Sequence, residues 1–398
     1  MTFIGSAFGG YSAVVTAVVL GVGYIIAVAA VVAISGGLAE TILQHYLSIT
    51  IPWQAISAVL SLGALTLIVI GAKPSTKVAA VLFVFQVVLL MGVAIALLVQ
   101  HSSHINASPF DPSHLTNGFS GLSLGFPLAI YLFVGWENSA ALAEETDNPR
   151  KNVPKAVFMS IGIMTASYAL FAYATVIGFS NNVTTLGAAT VPFLTVAHGV
   201  LAFLAFLGFL AGMTSTLGAL IAGTNSQARL IFNAGREGLL PKFIGKVDGK
   251  RRTPVNALFT FLTLALLIIG VWGLGHIFGG SATSGSMSAF NFFFESSTFG
   301  TILVLVVYAL SNLALPFYYQ KHHPELFNWF RHAVLPFLGL VTIGVPLYYL
   351  TKSGQPTPYD WFPWAALIFL VAAIVYAVAL VSRDPGIGDR VGSIVADE

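Results

Sequence analysis

Apolar residues in this chain fall neither in an alternating nor in a striped pattern. They form continuous runs, repeated along the whole sequence and separated by short polar segments. A helix of about 20 apolar residues crosses the roughly 30 Å hydrocarbon layer of a bilayer. Ten runs of that kind are present: Tyr11–Ile34, Trp53–Ile70, Val78–Leu98, Leu122–Leu142, Ala156–Ile177, Pro192–Ile221, Val255–Gly275, Phe299–Tyr319, Ala333–Leu350 and Trp361–Val381. The pattern predicts an all-α polytopic transmembrane bundle, one membrane domain over residues 1–382, with a short polar tail at 383–398 expected to be disordered. The sixth run is the longest, which predicts a kinked or tilted span.

The fourth run departs from the others. Within FPLAIYLFVGWENSAALAEETDNPRKNVP, Pro127, the Gly135-Trp136 pair and the acids Glu137, Glu144 and Glu145 interrupt the apolar series. A carboxylate at hydrocarbon depth costs about 3 kcal/mol on insertion scales unless it faces protein or water. Two readings fit: a kinked packing helix whose Gly135 admits a close neighbour, or a broken helix whose unwound centre offers backbone groups to a solute.

The connections divide by charge. The first, third, fifth and seventh loops (35–52, 99–121, 178–191 and 276–298) hold no Lys or Arg, and the ninth holds only Lys352. The other sixteen of the seventeen basic residues fall in the even loops and the tail. By the positive-inside rule both termini and the even loops are cytoplasmic, which makes this a multi-pass protein of the plasma membrane.

Composition agrees with the pattern. The 398 residues are 57% hydrophobic and 8% charged, too apolar for a water-soluble surface. No cysteine is present, so disulfides and thiolate metal sites are excluded. The N-terminus lacks a basic n-region, so no cleaved signal peptide is expected. The basic segment 242–252 carries a single aromatic, Phe243, not an aromatic-and-basic array, and reads as a topology determinant meeting lipid headgroups rather than as a nucleic-acid surface.

Candidate chemistry is sparse. Eight of the nine histidines lie in loops and His198 lies near the outer end of a span, with no carboxylate spacing that would hold a metal and no nucleophile–base set for an enzyme. Polar groups at membrane depth are scattered: Gln86, Glu137 with Asn138, the triplet Thr214, Ser215, Thr216, and Asn312. Such groups can bond within or between helices. Beside a broken helix they fit a solute and ion path better than a reaction centre. A second charged stretch, NSQARLIFNAGREGLLP, sets Arg229 and Arg236 seven residues apart on one face of a helical extension that Gly238 and Pro241 end. It is either a snorkelling helix end or a cytoplasmic gate pairing Arg229 and Arg236 with Glu144 and Glu145.

The stretches FVGWENSAALAEETDNPRKNVPKAV, ARLIFNAGREGLLPKF and RRTPVNAL resemble signatures of amino acid permeases in the amino acid-polyamine-organocation superfamily. The resemblance implies a LeuT-like fold of inverted repeats, usually with twelve helices, whose first and sixth helices unwind at the substrate site. Phe133, Gly135, Trp136 and Glu137 then match the break in the sixth helix and, with Asn138, form the substrate path. The fourth run becomes the family's sixth helix, so ten of the twelve helices are expected and the first two are absent. Gln86 stands where some relatives carry a lysine linked to proton coupling, and an amide does not titrate. Thr214, Ser215 and Thr216 fall where sodium-coupled relatives use hydroxyls, which leaves coupling to a proton or sodium gradient open.

The function implied is alternating-access transport of amino acids or related amines, with no cofactor and no obligate protein partner. A non-transporting membrane protein of the same fold is the competing class. Because the resemblance places substrate recognition mainly on backbone groups, a structural or gating role for Glu137 is favoured over direct binding of an amine.

Overall fold

The computed structural model describes residues 2–115, 118–122, 125–141, 143, 146–189, 191–249, 253–279 and 286–387. Among these the structure is helical throughout, and nine helices are long and apolar enough to cross a membrane. The fourth apolar run is not one of them, because its helix is interrupted.

One helix organises the bundle. After α1 (Thr2–Phe8) and a hinge at Gly9 (φ 92°), α2 runs over Gly10–Leu47, 38 residues, or about 57 Å at 1.5 Å per residue. Its buried residues continue from Gly10 to Glu40, many of them Gly or Ala. Small side chains let neighbouring backbones approach, which is how helices associate where lipid gives no hydrophobic drive. A Cβ built on Gly300 would stand 3.3 Å from the Gly23 carbonyl oxygen, so α2 and α12 (Ser286–His322) pack nearly backbone to backbone there.

Two loop expectations are corrected here. Residues 35–47, read as part of a loop, continue α2: Ser35 Oγ donates to Val31 O (2.6 Å), Thr41 Oγ1 donates to Gly37 O (2.8 Å), and the start of α3 (Trp53–Ile70) covers this turn. A Cβ on Gly36 would fall on the Ser57 hydroxyl and the Trp53 carbonyl, and Ser57 Oγ donates to Val32 O at 2.9 Å. Residues 286–298 likewise belong to α12, and Trp53 Nε1 donates to Ser288 Oγ at 2.7 Å. Polar and small residues such as Ser35, Gly36, Ser297 and Thr298 stay helical because they are buried in protein.

The remaining helices are α4 (Ala72–Gln100), α5 (Gly125–Tyr131), α6 (Asn138–Ala141), α7 (Pro149–Gly178), α8 (Val183–Ala188), α9 (Pro192–Val200), α10 (Ala202–Arg236), α11 (Val255–Gly279), α13 (Leu335–Thr351) and α14 (Phe362–Arg383). The sixth run is broken outright: Leu201 is extended (φ −160°, ψ 126°) between α9 and α10, and α10 continues past the expected end at Ile221 to Arg236. Glu237 caps it and Gly238 turns the chain at φ 79°. The following loop folds back so closely that a Cβ on Gly235 would stand 2.6 Å from the Gly245 nitrogen.

The start of the tail is also corrected. Ile387, assigned to a disordered tail, is 1% exposed and packs with Val14, Leu239 and Val381. The outward faces carry exposed Phe158, Val59, Phe337 and Ile368, side chains suited to lipid.

Candidate functional site

The interruption between α5 and α6 spans Leu132 to Glu137. Its backbone bonds shift from the helical four-residue step to three: Phe133 N to Ile130 O (2.9 Å), Val134 N to Tyr131 O (3.0 Å), Trp136 N to Phe133 O (3.1 Å) and Asn138 N to Gly135 O (3.0 Å). Gly135 adopts φ 105°, a conformation L side chains rarely take, and a Cβ there would meet Asn138 Nδ2 at 3.0 Å. Glycine at this position is therefore what permits the turn.

Unwinding a helix frees carbonyls and N–H groups, and each needs a partner at membrane depth. Tyr168 meets one of these groups, and Tyr131 and Tyr24 tie the segment to α2. Tyr168 Oη on α7 donates to Leu132 O at 2.9 Å, and Tyr131 Oη donates to Ala27 O on α2 at 2.9 Å. Tyr24 Oη, also on α2, donates to Glu137 Oε1, while Glu137 Oε2 accepts from Gly135 N at 3.2 Å. Glu137 thus bridges the unwound backbone to the central helix. Trp136 packs against Tyr308 of α12 with ring centroids 6.2 Å apart, and Phe133 meets Tyr168 edge-on at 5.4 Å.

Beside the break lies a cavity of about 600 Å³, within the size range of small-molecule sites. Gly135, Trp136 and Asn138 supply one wall, Ala27, Val28 and Val31 of α2 another, and Ser160, Met164 and Tyr168 of α7 a third. Ser215, Thr216, Gly223 and Gln227 of α10 complete it with Phe293 of α12. The cavity therefore unites three residues of the predicted substrate path with two of the predicted ion path. Among the described residues, Phe133 and Glu137 are not on its wall; Glu137 is turned toward α2.

The other predicted residues are placed less directly. Thr214 Oγ1 donates to its own helix, at 3.0 Å from Leu210 O and Ala211 O, and Thr216 Oγ1 does so to Met213 O at 3.0 Å. On α4, Val93 and Leu97 pack against α9 and the start of α10, whereas Leu82 lies under Gly218. The two helices are thus antiparallel, and Gln86 comes level with Thr214. Gln86 Oε1 is buried without a hydrogen-bond partner and does not reach the cavity wall.

Of the gate residues, Arg229 is half-buried and donates from Nε to Asn225 O at 3.2 Å. Arg236 is exposed, with its guanidinium carbon 5.5 Å from the Phe232 ring centroid. Glu144 and Glu145 lie outside the described residues. Sequence reasoning passed over Tyr24, Tyr168 and Gln227. A tyrosine inside an apolar run is a usable signal for two of them, since its hydroxyl must find an acceptor when buried.

A bundle built on one encased helix, with an interrupted helix beside a cavity at its centre, is the arrangement of secondary transporters. The sequence profile of the family described as Amino acid permease matches residues 2–385, and the chain belongs to that family. It is similar to the branched-chain amino acid permease BcaP of Bacillus subtilis (strain 168), 25% identical over 314 residues, covering 78% of this chain and 61% of the relative. Its similarity to BcaP of Lactococcus lactis subsp. cremoris (strain MG1363) is 26% over 284 residues, 68% of this chain and 55% of the relative. The methylthioribose transporter of Bacillus subtilis is 26% identical over 341 residues, 80% of this chain and 65% of the relative. The chain thus spans less than two thirds of the length of these relatives.

Proposed function

We propose that this chain carries amino acids with neutral, aliphatic side chains across the plasma membrane by alternating access. The observation that carries the reading is the cavity itself: Leu132, Val134, Gly135 and Trp136 of the unwound segment form one side and an apolar wall of Ala27, Val28, Val31, Ile34, Met164 and Phe293 faces it. Backbone groups at a break suit the charged amino and carboxyl groups of a substrate. The apolar wall suits a side chain of the branched kind, which agrees with the names of two relatives, both branched-chain amino acid permeases.

In this proposal Gly135, Trp136 and Asn138 contact the substrate, with Ser215 and Thr216 opposite. Phe133 and Glu137 hold the break in shape. Gln86 takes no part in proton transfer because an amide does not titrate, and the hydroxyls of Thr214, Ser215 and Thr216 remain the candidate ion contacts. Arg229 and Arg236 close the cytoplasmic side against Glu144 and Glu145. The ten apolar segments correspond to ten of the twelve helices of the resembled inverted-repeat fold, with both termini in the cytoplasm.

The test is uptake of labelled leucine into proteoliposomes holding the purified chain. Saturable uptake, competed by isoleucine and valine but not by lysine, is expected. Absence of saturable uptake by correctly folded protein overturns the transport reading. Competition by lysine or methylthioribose as strong as that by isoleucine overturns the substrate class.

A further inference from the structure

A second cavity lies apart from the one beside the break. It measures about 880 Å³ and lies among α2, α11, α12 and the start of α14. At 100° per residue, Val22 and Ile26, which line it, stand on the side of α2 opposite Val28 and Val31, which line the transport cavity. The central helix is therefore the partition between two separate cavities.

This second cavity contains a carboxylate. Asn291, Phe292, Glu295, Ser296 and Phe299 form one stripe of α12 along its wall. Glu295 falls in a loop by the sequence pattern, but the extension of α12 to Ser286 places it inside a membrane-crossing helix, where an ionisable side chain requires a functional or structural reason. Trp272 Nε1 of α11 donates to Glu295 Oε2 at 2.5 Å and fixes the carboxylate's position. A carboxylate accepts at about four lone-pair positions, so it can take a ligand's ammonium alongside neighbours of its own. At the rim, burial first, and then the Glu295 carboxylate, push the Tyr359 phenol up to about 12.

The rest of the wall is apolar and aromatic. Phe299 and Phe362 have ring centroids 5.6 Å apart, and Trp272 meets Phe292 edge-on at 5.2 Å. A carboxylate among aromatic faces favours a cation through both charge pairing and ring quadrupoles, and it disfavours an anionic headgroup.

We propose that this cavity binds a protonated primary amine carried on an aromatic or aliphatic body, with Glu295 accepting from the ammonium and Phe292, Phe299 and Phe362 enclosing the body. The site is independent of the transport cavity, and its ligand need not be a transported solute.

The experiment is calorimetric titration of phenethylamine into the purified full-length chain in phosphatidylcholine nanodiscs. Saturable binding is expected, about tenfold or more tighter than that of the neutral 2-phenylethanol. Glu295→Gln should weaken phenethylamine by about tenfold or more, and Ala365→Trp, which fills the cavity and keeps the carboxylate, should do the same. Glu137→Gln should leave the affinity within about twofold, because that carboxylate belongs to the other side of α2. Lack of saturable binding, equal binding of amine and alcohol, or equal affinity in Ala365→Trp and the parent chain overturns the proposal. So does equal affinity in a folded Glu295→Gln. Should Glu295→Gln fail to fold, the alcohol comparison and Ala365→Trp decide.

Discussion

The hydroxyl of Tyr24 donates to Glu137 across a sequence separation of 113 residues, tying the central helix to the unwound segment. The same carboxylate accepts from the Gly135 backbone N–H, so one side chain secures both the break and its position on α2. Tyr24→Phe removes a hydrogen bond to a charged group and should cost about 1.5–3 kcal/mol of stability. Thermal unfolding of the purified variant checks this.

Glu137→Gln keeps an acceptor for Tyr24 and a similar shape, so it should lower folded yield less than Tyr24→Phe does. It should also change substrate affinity by less than about tenfold, since the carboxylate is off the cavity wall. Equilibrium binding of labelled leucine measures this. A selective loss larger than about tenfold, with yield unchanged, would make Glu137 a substrate ligand.

Gly135→Ala places a Cβ where φ is 105° and Asn138 Nδ2 stands 3.0 Å away. Backbone strain of about 1–3 kcal/mol is expected. Because the strain falls on the cavity wall, leucine uptake should drop severalfold while the protein still assembles. Uptake at the parent rate would show that the turn does not shape the substrate site.

Gly36→Ala tests the packing of the central helix at a distance from the break. The new methyl group meets the Ser57 hydroxyl and the Trp53 carbonyl, so α3 must move away from α2. Overpacking of this kind costs about 1–3 kcal/mol. A lower melting temperature is expected, with substrate affinity little changed in the protein that folds.

Orientation can be read on this cysteine-free chain with single introduced thiols. Cysteines at Ala107 and Val183, both exposed, should react with an impermeant maleimide on intact cells, whereas one at exposed Lys246 should react only after permeabilisation. The partition of basic residues motivates the expectation. Labelling of the Lys246 position from outside would invert the topology.

How much of this was legible beforehand follows from the range of the forces involved. The apolar runs, the charge asymmetry and the interruption at Gly135-Trp136 are local properties, set by what a bilayer accepts from some 20 consecutive residues. The sequence alone therefore determined a helical membrane bundle with an irregular fourth run, and left open whether that run is kinked or broken. It also displayed the motifs of the family to which the chain belongs.

The true ends of α2 and α12 were not legible, because Ser35 to Leu47 and Ser286 to Thr298 look like loop until Trp53, Ser57 and Ser288 are seen covering and bonding across them. The partners of Glu137, the gathering of Gly135, Ser215 and Gln227 around one cavity, and the bond of Trp272 to Glu295 depend on which helices become neighbours. That choice is made by backbone approach at Gly23, Gly36 and Gly300, where the absence of a side chain brings distant segments into contact. A glycine in sequence marks only that contact is permitted; the tertiary structure supplies the partner, because packing and hydrogen bonding act over a few ångströms of space and not over any fixed spacing along the chain.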